Sequence, residues 1–139
     1  MIISITRLRL NHFWYLPAFI KTSRACVMQA VANKNCVGGA TFVGPGLTFW
    51  TATLWSDEKS MREYTKSGDH FKAYPLLAQW CSEAATGNVE ANSVPEKNEI
   101  LNLLRANPTF APLKRPAKTH TQKRLPIKSP WLREVFKPR

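Results

Sequence analysis

Residues 47–83 read LTFWTATLWSDEKSMREYTKSGDHFKAYPLLAQWCSE, and the reading of this stretch decides the fold. It opens with Leu47 to Trp55, rich in aromatic residues and Thr, which suits a pleated strand. Alternation sets Phe49, Thr51, Thr53 and Trp55 on one face and Trp50, Ala52 and Leu54 on the other, with no charge in either row. Both faces of this strand are therefore expected to be covered. Ser56 then offers an N-cap, Asp57 and Glu58 favour the positive end of a helix, and Met61 and Tyr64 supply its apolar stripe until Gly68. Asp69 can cap a second helical piece, with Phe71, Tyr74, Ala78, Cys81 and Ala85 recurring at three and four residues. Pro75 inside it predicts a kink or a fresh start near Tyr74.

Upstream, Ile2 to Leu10 alternates Thr6, Leu8, Leu10 against Ile5, Arg7, Arg9, a first strand with one wetter face toward its end. His12 to Leu16 reads as extended, because the residue before Pro17 is biased away from the helical region. Pro17 suits the first turn of a helix whose stripe is Ile20, Val27, Met28 and Val31. Cys36 to Val43 is a second strand, its pair Gly38, Gly39 marking a bulge or a close backbone approach. Gly44, Pro45 and Gly46 fold it back onto the third strand as a hairpin. These glycines have no following Lys-Ser or Lys-Thr, so they do not form a phosphate cradle. Downstream, a short strand is expected over Thr86 to Ala91, then a capping box of Ser93 and Glu96 opening a helix with Ile100, Leu103 and Leu104, ended by Pro108.

The chain has 139 residues, 44% apolar and 11% aromatic, enough for one globular core. Its net charge of +11 is unevenly placed. From Pro108 onward nine Lys or Arg face one acid, and six of the ten prolines lie there, so residues 108–139 read as a basic, Pro-rich tail on a domain of residues 1–107. Trp131, Leu132, Val135 and Phe136 near its end suit a helical turn or two that docks on a surface. Such a tail could bind nucleic acid or an anionic membrane surface, although its charges are interleaved with prolines and offer little for base stacking. Cys26, Cys36 and Cys81 have no CxxC spacing and read as reduced, packed thiols of a cytoplasmic protein. The apolar run Phe13 to Ile20 is too short to span a bilayer, and no secretion signal is visible.

Strand, helix, two-stranded hairpin, helix, strand is a ferredoxin-like plan of the α+β class: an antiparallel sheet with helices on one face. The open face needs a cover, and a second copy of the chain, making a homodimer, is the simplest one.

No HExxH, GxSxG or suitably spaced carboxylate pair occurs, and no residues have metal-ligand spacing. Asp57 and Glu58 are explained as first-turn acids. His70 follows Gly68 and Asp69 at a helix start, where the macrodipole keeps an imidazole neutral. It is the candidate catalytic residue, a base, against a reading as a capping or packing group. His12 and His120 have no acidic or Cys partner at ligand spacing. Phe49, Trp50, Trp55 and Tyr64 are candidate ligand-binding residues for a flat apolar molecule in a dimer-enclosed pocket; the same rings also suit a plain aromatic core.

FWTATLW (49–55), SDEKSMREYTKSGDH (56–70) and AQWCSEA (78–84) resemble bacterial domains allied to the antibiotic-biosynthesis monooxygenase-like group and, more distantly, spheroidene monooxygenase. The resemblance covers roughly residues 1–107 and leaves the tail outside. It implies the dimeric α/β barrel fold and oxygenation of a polycyclic or polyene substrate, often with neither metal nor flavin. Where such relatives continue with Met-Pro after the His, this chain has Tyr74 and Pro75. In the haem-degrading members of the superfamily an Asn, a Trp and a His are used. Here Tyr64 is the helix position nearest that Trp and Tyr74 lies near the place of their iron ligand. Tyr74 thus joins the candidate ligand-binding residues, haem enters only through that distant resemblance, and no motif requires a cofactor.

Overall fold

The computed structural model describes residues 1–125 and 128–136. Strand β1, Ile2–Leu10, passes through a 3-10 turn at Phe13–Tyr15 into helix α1, Leu16–Val31. Strands β2, Cys36–Gly44, and β3, Thr48–Trp55, form a hairpin, followed by α2, Glu58–Thr65, α3, Gly68–Trp80, and β4, Cys81–Glu90. The rest of the chain adds α4, Ile100–Ala106, β5, Thr109–Phe110, α5, Lys118–Thr121, and β6, Leu132–Phe136. All strands join one antiparallel sheet in the order β5-β4-β1-β3-β2-β6. Its middle, β4-β1-β3-β2, is the ferredoxin-like order expected from the sequence, so the fold is α+β. Each outer strand comes from beyond residue 107. Residues beyond 107 thus contribute both outermost strands of the described sheet, while residues 126–127 and 137–139 of the predicted tail lie outside the described residues.

Local chemistry explains the hairpin. Gly46 has φ of 72° and the following Leu47 has φ of 60°. The left-handed conformation costs a residue with a Cβ about 1–2 kcal/mol. For Leu47 this is offset by the Leu10 N–H bond to its carbonyl at 3.1 Å and by its packing beside Leu10 and Phe19. The glycine pair in β2 does both things expected of it. The register shifts between Cys36 and Gly38, leaving Val37 as the exposed extra residue of a bulge. At Gly39 a Cβ would stand 2.7 Å from the Ala52 carbonyl oxygen and collide with the Phe136 ring of β6. Gly39→Ala should therefore cost about 1–3 kcal/mol in urea denaturation, the scale of an overpacked site; an unchanged midpoint would contradict this close seating.

Several local expectations are corrected. Residues 13–15 form a 3-10 turn in place of an extended segment. On α1, Ile20 and Met28 are exposed, and the buried residues are Phe19 and Ala30. The cap of α2 is Asp57, which accepts from the Ser60 N–H at 2.7 Å, and Ser56 only donates to Asp57. Helix α3 is entered at Gly68 from Ser67 and runs through Pro75. It stops at Trp80, so Cys81 and Ala85 belong to β4, where pairing with β1 overrides a helix-favouring sequence. The expected Ser93–Glu96 box is absent: α4 starts at Ile100, with the Glu96 N–H bonded to the Glu99 carboxylate. Residues 132–136 form a strand, not a helical turn.

The two faces of the sheet differ. Helices α1, α2 and α3 lie over the face that carries Leu10, Phe49 and Trp55. Over the other face, Ile3, Ile5, Phe42, Trp50, Ala52 and Leu54 are buried under Ile100, Leu101 and Leu104 of α4, with Val94, Phe110 and Leu125 against them. The cover assigned from sequence to a second copy is thus supplied within the chain, and α4 departs from the expected one-sided placement of helices. Arg7 was expected on a wetter face, yet it is 4% exposed, because Glu83 of the neighbouring strand pairs with it.

Candidate functional site

The face under α1 to α3 is not closed along its length. Along β1, Ile3, Ile5 and Arg7 on the α4 side are buried, whereas Ile2, Ser4, Thr6 and Leu8 on the helix side are only half-buried. The pairing registers place Thr86, Thr6, Thr51 and Thr41 side by side across β4, β1, β3 and β2, all four half-buried. Ser4 and Thr53 pair in the next row on the same face. The middle of the central strands therefore presents a floor of hydroxyl groups where a two-layer domain ordinarily places apolar side chains.

Two clusters bound this floor. At one end Phe49 packs on Phe19 with ring centroids 4.8 Å apart, beside Leu10 and Cys81. At the other, Trp55 lies 4.9 Å from Tyr64, beside Ala30, Cys36 and Met61. The Trp55 indole donates to Thr53 Oγ1 at 2.8 Å, and the Tyr64 hydroxyl donates to the Cys26 carbonyl at 2.9 Å. Helix α1 bridges the two, with Phe19 in the first cluster and Ala30 in the second.

His70 stands at the Trp55 end. Its ring is 4.7 Å from that of Tyr64 and 5.4 Å from that of Tyr74. Helix α3 starts without a cap from Ser67; the Gln29 side chain of α1 takes that role. Its amide oxygen accepts the His70 backbone N–H at 2.8 Å, and its amide nitrogen donates to the Ser67 carbonyl at 2.9 Å. Gly68, with φ of 57°, lies 3.1 Å from that amide at the Cβ position, so the helix start is held against α1. The ring Nδ1 lies 3.2 Å from the Thr65 carbonyl oxygen. A carbonyl only accepts, so Nδ1 carries the proton and Nε2 keeps its lone pair. Burial pushes the imidazole below its ordinary value, against a smaller upward pull from Thr65, and the ring is neutral at pH 7.

The sequence-derived set divides between the faces. Trp55, Tyr64, His70 and Tyr74 form one continuous run of rings, and Phe49 stands at the far end of the same face. Trp50 is on the opposite face, 1% exposed, with the Arg7 guanidinium 5.7 Å from its ring centre. The thiols are free, and burial pushes Cys26 up to about 11 and Cys81 up to about 12, which leaves them protonated at neutral pH. Among the described residues no group of three His, Cys, Asp or Glu is placed to hold a metal, and no helix is long and apolar enough to cross a membrane.

Two features escape a linear reading. The threonine row joins residues from four separate strands. On the α4 side, Arg7 Nη1 donates to Glu83 Oε1 at 2.7 Å, Arg9 lies 3.6 Å from Oε2, and the Thr119 hydroxyl also donates to that oxygen. The neighbouring His120 is 7% exposed; its Nε2 donates to the Ala111 carbonyl at 2.8 Å, and its Nδ1 accepts from the Ala84 N–H at 3.3 Å. The Arg-x-Arg spacing in β1 was the one sequence signal for this network.

No protein-family model and no curated protein matches the sequence. Among solved structures, an antibiotic biosynthesis monooxygenase aligns over 67% of this chain and 100% of its own, at 14% identity and a TM-score of 0.58. A conserved protein from Methanosarcina mazei Go1 aligns over 66% and 92%, at 13% identity and a TM-score of 0.59. A protein from Mycobacterium tuberculosis aligns over 66% and 95%, at 11% identity and a TM-score of 0.60. The chain thus has the fold of the antibiotic-biosynthesis monooxygenase-like proteins, as the resemblance in residues 49–84 implied.

Proposed function

We propose that this is a monooxygenase-like protein that binds a small, flat, largely apolar ligand, aromatic or polyene, between the sheet and α1, with His70 as its base. The observation that carries the reading is the half-buried row Thr86, Thr6, Thr51, Thr41 between two aromatic clusters. Hydroxyls on such a floor suit the keto and phenol oxygens of a polycycle, and the rings at either end suit its faces. His70 Nε2 would take the proton of an acidic phenol or enol, leaving an electron-rich anion to react with oxygen. In the overall change R₂CH₂ and O₂ give R₂C=O and water: the carbon gives up four electrons, one oxygen atom stays on it, and the other leaves as water with the two hydrogens of the CH₂. The protein's part is enclosure, orientation and one base.

Oxygen uptake with an anthrone as the probe tests this. His70→Gln should lower turnover by about a hundredfold or more, the scale of losing a general base, while the fold is kept. Because the ring is held below its ordinary range, turnover of the parent should persist at pH values under about 6.5. Full turnover by His70→Gln would refute the base assignment. A second copy belongs to the same proposal. With one sheet face covered internally, the place for it is the outer edge at β6, where Trp131, Leu132 and Val135 are exposed.

A further inference from the structure

On the face opposite the threonine row, a cavity of about 590 Å³ lies between the β2–β3 turn and the C-terminal segment. Among the described residues four cations line it, Arg7, Arg9, Arg124 and Lys128, against the single carboxylate of Glu83. Pro45, Trp50, Leu125 and Pro130 give it apolar walls. Arg7 is the buried member, 4% exposed. Its Nη1 is engaged by Glu83, and its Nε, closed to solvent, has no hydrogen-bond partner among the described residues. A guanidinium binds a carboxylate best through two parallel N–H groups, and one such pair is the side-on edge formed by Nε and Nη2. Glu83 leaves the Nε of that edge unmatched.

We propose that this cavity is a binding site for a small organic acid, whose carboxylate docks on the side-on edge of Arg7 and whose carbon body lies against the apolar walls. Arg9, Arg124 and Lys128 draw an anionic head to the site, and the apolar walls of Pro45, Leu125 and Pro130 favour a carboxylate carried on a carbon body over bare phosphate, which would leave them uncovered. The volume is that of an ordinary small-molecule pocket. Thr48 at the lining supplies a hydroxyl for a second lone pair of the head group.

The test uses the full chain at low salt, with 2-naphthoate, its neutral isostere 2-naphthamide, and inorganic phosphate titrated by calorimetry. Naphthoate should bind at least about tenfold more tightly than either of the others, by the strength of a charge-assisted bidentate pair. Its addition should shift the Arg7 Nε–H resonance, which separates this site from the one proposed beside His70 on the other face. Arg7→Lys keeps a charge for Glu83 but lacks the side-on edge, and should lose most of that preference. Equal affinity for the acid and the amide would overturn the proposal without needing any variant. So would naphthoate binding that leaves the Arg7 resonance unmoved, tighter binding of phosphate, or no binding of naphthoate at millimolar concentration.

Discussion

Glu83→Ala should destabilise the protein by about 3–5 kcal/mol, the cost of leaving a buried charge without its partner. Against a total stability of about 5–15 kcal/mol this is a large share. Glu83 is 7% exposed and gathers Arg7, Arg9 and Thr119 on one carboxylate, so its removal strands a guanidinium that is itself 4% exposed. Burial pushes the carboxyl up, but the hydrogen bonds from Thr119 and Arg7 and the charges of Arg7 and Arg9 outweigh it and hold the group below its ordinary value. A carboxyl depressed in the folded state stabilises above its unfolded pKa, near 4.3, and the contribution drains away as pH falls through and below that value. The parent should therefore lose stability on acidification more steeply than Glu83→Ala. Chemical denaturation from pH 7 to pH 3 checks both statements; a variant with the parent's midpoint at pH 7 would show that the network holds nothing together.

Ending the chain at residue 107 should lower the melting temperature by about 10 °C or more, the shift that a few kcal/mol produces in a domain of this size. The cut removes β6, which pairs with β2 from Gly39 to Val43, and β5, which pairs with Ala85 and Thr86. It also removes the His120 bond to β4, the Thr119 hydroxyl on Glu83, and the Phe110 and Leu125 side chains that rest on the core. Arg133 adds a bond to the Pro95 carbonyl at 3.0 Å, tying the last strand to the loop before α4. Differential scanning calorimetry decides the matter. Coincident melting of the two chains would mean that residues 108–139 separate from the domain, as their proline and charge content alone suggests.

What the sequence disclosed and what it hid follow from the range of each interaction. The β2–β3 hairpin was legible because its turn residues and its alternating strands are neighbours in the chain. The second half of β4 was read as the strand near Thr86 to Ala91, but its first half was hidden because Gln79 to Ala85 favours a helix locally, and only the ladder to β1 makes Cys81 to Ala85 extended. The strand at 132–136 was misread for a related reason: Trp131, Leu132, Val135 and Phe136 recur at helical spacing, and only pairing with β2 makes the segment extended. Among the site residues, Tyr64, His70 and Tyr74 meet because they lie on adjoining helices a few residues apart. Thr6, Thr41, Thr51 and Thr86 meet only through strand pairing, and Arg7 finds Glu83 across 76 positions.

The strand order also sets a timetable for synthesis. The four central strands lie within the first 90 residues, while both outermost strands are made after them. A ribosome exposes a chain from its N-terminus at about 5–20 residues per second. For some seconds, then, the nascent protein can hold β4-β1-β3-β2 paired while the β2 edge is unmatched and Phe42, Trp50 and Leu54 still lack part of their cover. The C-terminal segment closes the edge and the face together, so any lesion that delays or shortens it prolongs the interval in which two growing chains can stick to one another.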